Sequence, residues 1–66
     1  MIQINGKNVS AEKPIRLTDY LDEHGYRIEM IAVELNEVII PKDDYPQTIL
    51  KDGDVLEIVQ FMGGGC

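Results

Sequence analysis

The chain is poor in the residues from which most catalytic and metal sites are built: its 66 positions hold one cysteine and one histidine. A single cysteine, Cys66, excludes an internal disulfide, so packing alone must hold the fold. It also leaves an iron–sulfur cluster without its four thiolates. His24 lies far from Cys66 in the sequence, and nothing local makes them a nucleophile pair. No apolar run approaches the ~20 residues that cross a bilayer. The opening MIQINGK alternates and carries a turn, unlike a signal peptide. Six basic residues stand against twelve acids, a net charge of −6. Phosphate backbones repel such a surface, which argues against nucleic acid as a ligand. The acids suit either solubility or steering toward a basic protein surface. Asp43-Asp44 and Asp52-Gly53-Asp54 lack the spacing and closing glutamate of a calcium loop and are expected in turns. The glycines lack the Lys-Ser/Thr of a phosphate loop. With no catalytic or metal constellation and no membrane segment, the expectation is a cytoplasmic protein that is not an enzyme.

What the chain does have is the pattern of one small folded domain, 44% hydrophobic and 27% charged. Ile2 and Ile4 alternate with Gln3, and Asn5-Gly6 is a strong hairpin signal because a type I′ turn needs positive φ at both central residues. Lys7 to Ser10 returns as a second strand, broken at Pro14. A short helix is expected next, with Thr18 as N-cap, Asp19 and Asp22 near its positive end, and Gly25 ending it. Leu17, Tyr20, Leu21 and His24 share one helical face, and a positive charge on His24 would suit the helix C-terminus. Ile28 to Asn36 reads as a strand with Ile31, Val33 and Leu35 on one face and Ala32 and Glu34 on the other. Asn36-Glu37 reads as a turn and Val38 to Ile40 as an extended piece. KDDYP reads as a loop anchored by Tyr45, and Thr48 to Leu50 as a brief strand. VLEIVQF, residues 55–61, is apolar on both faces but for Glu57 and Gln60, which predicts a central strand buried on both sides. Together these predict an α+β fold, a mixed sheet packed on one main helix in the β-grasp layout. Its core should include Ile4, Leu21, Val33, Leu35 and Ile58.

The chain then ends FMGGGC. Gly63, Gly64 and Gly65 adopt any backbone conformation and present no side chain to a narrow channel. Three or four extended residues reach roughly 10–14 Å. The organisation expected is a domain over 1–62 and a flexible tail over 63–66, the tail serving either a partner's active site or nothing at all. AVELNEVIIPKDDY followed by TILKDGDVLEIVQFMGGG resembles the ThiS family of sulfur carriers of thiamine biosynthesis. The shared features are an Asn-x-x-Ile/Val-Val/Ile-Pro-basic segment, here Asn36 to Lys42, an Asp-Gly-Asp turn at Asp52 to Asp54, a hydrophobic strand and a terminal Gly-Gly. The resemblance implies a ubiquitin-like β-grasp protein that is a substrate, with no bound cofactor. Its terminal glycine, here Gly65, would be adenylated by an E1-like, ThiF-like partner using ATP, then converted to a thiocarboxylate. A ThiG-like thiazole synthase would accept the sulfur. Gly63 and Gly64 would enter the partner's site, while Phe61 and Met62 would dock the lead-in. Cys66 departs from the family pattern and is expected to be removed by a processing protease, or to be functional itself. Molybdopterin or amino-acid synthesis is the alternative destination for the sulfur, and a non-catalytic β-grasp interaction module the alternative class.

Overall fold

The computed structural model describes residues 1–61. In chain order these form β1 (Ile2–Ile4), β2 (Lys7–Val9), β3 (Ile15–Arg16), helix α1 (Leu17–Glu23), β4 (Ile31–Leu35), β5 (Val38–Ile39), β6 (Ile49–Leu50) and β7 (Val55–Gln60), with 3-10 turns at Ile28–Met30 and Lys42–Gln47. The main sheet has the order β2-β1-β7-β4-β5, and β3 pairs with β6 beside it. Strand β7 is therefore central, parallel to β1 and antiparallel to β4. The β1–β2 turn has φ of 51° at Asn5 and 83° at Gly6, as the hairpin reading requires. Asn5 does more than turn the chain: its Oδ1 accepts the Ile58 N–H at 2.7 Å, tying the hairpin to the middle of β7.

The core follows from period-2 alternation. Ile2, Ile4, Ile31, Val33, Leu56 and Ile58 point to one face of the sheet and meet Leu17 and Leu21 of the helix, with Tyr45 and Leu50 closing the side. One expectation is corrected here. Strand β7 is central but buried on one face only, since Val55 and Val59 remain exposed. Among the described residues one seven-residue α-helix covers one side of the sheet and none covers the other. Leu35, at the strand end, packs against the core only in part.

The helix starts before Thr18, which is not its N-cap. Arg16 occupies that position without a side-chain cap. The pairing of β3 with β6 takes over, because the Leu17 N–H donates to the Thr48 carbonyl at 2.9 Å. One orphan amide of the helix start is thus satisfied by the neighbouring strand. At the other end Gly25 has φ 75°. Its N–H reaches the Asp22 carbonyl and the Tyr26 N–H reaches that of Leu21, the paired bonds of a Schellman ending. His24 Nδ1 bonds the Tyr20 carbonyl at 3.0 Å, and the two rings stack at 4.1 Å. His24 is exposed rather than part of the buried stripe.

Two further boundaries differ from the sequence reading. Residues 28–30 form a 3-10 turn, and β4 begins at Ile31, where the ladder with β7 begins. KDDYP lies within the 3-10 turn Lys42–Gln47, which buries Tyr45.

A polar clip joins two turns beneath β7. Asp54, 7% exposed, accepts Asn36 Nδ2 at 3.0 Å and the Lys51 N–H at 2.9 Å. Asn36 Oδ1 in turn accepts the Val55 N–H at 2.9 Å. Asn36 sits at φ 51° and Glu37 at φ 71°, so the clip holds a turn with no glycine in it. Asp54→Ala removes the acceptor of two charge-assisted bonds and is expected to cost about 2–4 kcal/mol. A chain of this length is stable by roughly 3–10 kcal/mol in all. Urea denaturation reads the difference, and a loss under about 1 kcal/mol would show the clip to be incidental.

Candidate docking face and tail

Strand β7 carries the chain out of the core toward its glycines. Phe61, the last described residue, donates its N–H to the Met30 carbonyl at 2.8 Å and is 51% exposed. That bond fixes where the chain leaves the sheet. Among the described residues, no element covers the side of the sheet away from the helix. There Ala32 faces Val59, Glu34 faces Glu57, and Ile39 faces Glu34 across three adjacent strands. Ile39 is 71% and Val59 57% exposed. Between them lies a shallow depression of about 170 Å³ lined by Ala32, Val33, Glu34, Ile39 and Val59. Exposed apolar side chains are ordinary when scattered; contiguous on one sheet face, near Phe61, they make this face a candidate interaction surface.

Of the residues singled out in the sequence, Phe61 is placed at this exit. Met62, Gly63, Gly64, Gly65 and Cys66 lie outside the described residues. Ala32 and Val59 were not singled out as surface residues, and Ile39 was read only as part of an extended piece. The signal was available, since alternation in β4 puts Ala32 opposite the core and one short helix covers one face. Asp43 and Asp44 stand in the first turn of Lys42–Gln47, and among the described residues no group of acids, histidines or cysteines could hold a metal. A wider groove of about 480 Å³ runs between α1 and the chain from Val9 to Arg16, flanked by Tyr20 and His24. Burial first, and then neighbouring Tyr26, push the Tyr20 phenol above the usual 10, the direction of an inert hydroxyl rather than an activated one. No helix among the described residues is long and apolar enough to cross a membrane.

Comparison with known proteins agrees with this geometry. The ThiS family model matches residues 2–65, through all three tail glycines. The sulfur carrier protein ThiS of Bacillus subtilis is 41% identical over 66 aligned positions, covering 98% of this chain and 100% of that protein. A thiazole synthase of Paramagnetospirillum magneticum is 42% identical over 62 positions; these are 94% of this chain but 19% of the synthase. The crystal structure of the thiamine biosynthesis protein ThiS of Geobacter metallireducens shares the fold with a TM-score of 0.76 at 33% identity, covering 97% of each chain. The mixed sheet on one helix is thus the ubiquitin-like β-grasp. A match running from the first strand to the last tail glycine, on a shared fold, makes this chain a member of the ThiS family.

Proposed function

We propose that this chain carries sulfur for thiazole formation in thiamine biosynthesis, as a thiocarboxylate on Gly65. The observation that supports it most is the family match through Gly63, Gly64 and Gly65, on a chain whose last described residue, Phe61, follows a strand with exposed apolar Val59. A carboxylate is a poor electrophile. It becomes a good one when its oxygen attacks the α-phosphorus of ATP and pyrophosphate leaves, a step that belongs to an E1-like, ThiF-like enzyme. A persulfide sulfur then attacks the acyl carbon and AMP departs. Cleavage of the resulting acyl disulfide by a thiol leaves the thiocarboxylate. This chain contributes the reacting carboxylate, a tail with no side chains to obstruct entry, and the body that docks; it acts as substrate and holds no cofactor of its own. A thiazole synthase with a similar stretch in its own chain supports a ThiG-like acceptor. Sharing one chain raises the effective concentration of carrier at enzyme.

Adenylation needs Gly65 to end in a free carboxylate. A peptide bond to Cys66 removes that carboxylate, and the family match stops at Gly65. Release of Cys66, by a processing protease, therefore precedes loading. Three chains test this with the activating enzyme, ATP and a sulfur donor but no protease: one carrying Cys66, one ending at Gly65, and Cys66→Ser. Only the chain ending at Gly65 is expected to gain sulfur. Loading of the chain that keeps Cys66, lost in the serine variant, would move the sulfur to the thiol.

A further inference from the structure

The outer sheet face holds an unusual opposition. Glu34 of β4 and Glu57 of β7 stand directly across from each other, an arrangement that destabilises a sheet. Among the described residues neither has a basic group within 4 Å; the ion pairs there are the N-terminal amine with Asp52 and Arg27 with Glu29. Their cross-strand surroundings, Ile39, Ala32 and Val59, are apolar. The depression of about 170 Å³ bordered by those three residues opens beside Glu34. Glu34 lines this apolar hollow and Glu57 stands across from it on the next strand, an arrangement that suits a side chain with a hydrocarbon stem and a cationic end. A guanidinium suits two carboxylates better than an ammonium because its planar fork donates to both.

Resting on the sulfur-carrier reading, we propose that this face receives one arginine of the activating enzyme, its stem in the hollow and its guanidinium between Glu34 and Glu57. Val59 lies two residues before Phe61, so the face is continuous with the exit of the tail. The enzyme that holds ATP must also admit a chain of charge −6, and a cation at this rim offsets the approach of like charges.

Binding of the chain ending at Gly65 to the activating enzyme is measured for the unaltered protein, for Glu34→Gln with Glu57→Gln, and for Asp43→Asn with Asp44→Asn. The last pair removes the same charge from an exposed turn on another part of the surface. The glutamine pair is expected to weaken binding by about 30-fold or more, through faster dissociation. The asparagine pair should weaken it by less than about 3-fold. Relief of the opposed charges is expected to raise the melting temperature of the glutamine variant, so lost binding does not reflect unfolding. Phenylglyoxal labelling of the enzyme supplies the second readout: the bound carrier should protect one arginine, and the glutamine variant should not. Equal effects of the two pairs overturn the assignment, as does the absence of any arginine protected by the unaltered carrier. If the unaltered chain neither binds nor gains sulfur, the sulfur-carrier reading itself falls and this assignment with it.

Discussion

Deleting Gly64 and Gly65 is expected to reduce sulfur loading below detection while the domain melts at its usual temperature. Two extended residues span about 7 Å. A displacement of even about 1 Å from productive geometry costs on the order of a hundredfold in rate, so a carboxylate held 7 Å short does not react. The body cannot follow it inward, because Phe61 is tied to Met30 where the sheet ends. Stability should be indifferent, since among the described residues every buried core side chain lies between Ile2 and Ile58. Intact mass spectrometry of the reaction and a thermal melt of the same sample give both readings. Loading at a comparable rate would show that the tail does not act as a fixed-length probe. A lower melting temperature would show that the glycines pack on the body.

The largest effect on folding is expected at Tyr45. Its ring is 1% exposed, held by the 3-10 turn Lys42–Gln47 and packed into the core with the helix and sheet. Tyr45→Ala should cost about 3–5 kcal/mol, against roughly 3–10 kcal/mol for the whole domain. In a domain of this size that lowers the melting temperature by roughly 12–40 °C. Tyr45→Phe keeps the ring and separates the hydroxyl from the packing. Burial pushes the Tyr45 phenol above its ordinary 10, partly offset by a hydrogen bond with the Val33 backbone. The fold thus favours the neutral phenol. Its contribution is complete below pH 10 and is lost as pH rises through the raised value. Stability should fall above pH 10 in the natural chain and fall less in Tyr45→Phe. Tyr20, raised in the same direction, leaves part of the slope in place. Alkaline limbs that coincide would remove Tyr45 from the account.

The parts of this fold written in local chemistry were readable from the sequence. Asn5-Gly6 announced the first hairpin, Gly25 the helix end, and the alternation of Ile31, Val33 and Leu35 the core face of β4. Parts decided by distant partners were not. Strands β3 and β6 have two residues each, too few for any period, and exist only because they pair with each other. That pairing also set the helix start and displaced Thr18 as cap. Strand β7 looked buried on both faces because Val55, Val59 and Phe61 are apolar. Those side chains lie on an exposed surface instead, and the apolar pattern alone does not distinguish a buried face from an exposed one. In the tail, Gly63 to Gly65 offer no side chain, and the expectation that a terminal carboxylate reacts there falls on residues outside the described ones.

The central claim is that the reactive sulfur sits on the backbone carbonyl of Gly65. The most direct measurement is top-down fragmentation of the loaded chain ending at Gly65, after ATP, the activating enzyme and a sulfur donor. The account predicts one oxygen replaced by sulfur, confined to C-terminal fragments that contain Gly65, and lost on transfer to thiazole synthase. Sulfur found on any fragment that lacks Gly65, or no exchange at all in that chain, would contradict it.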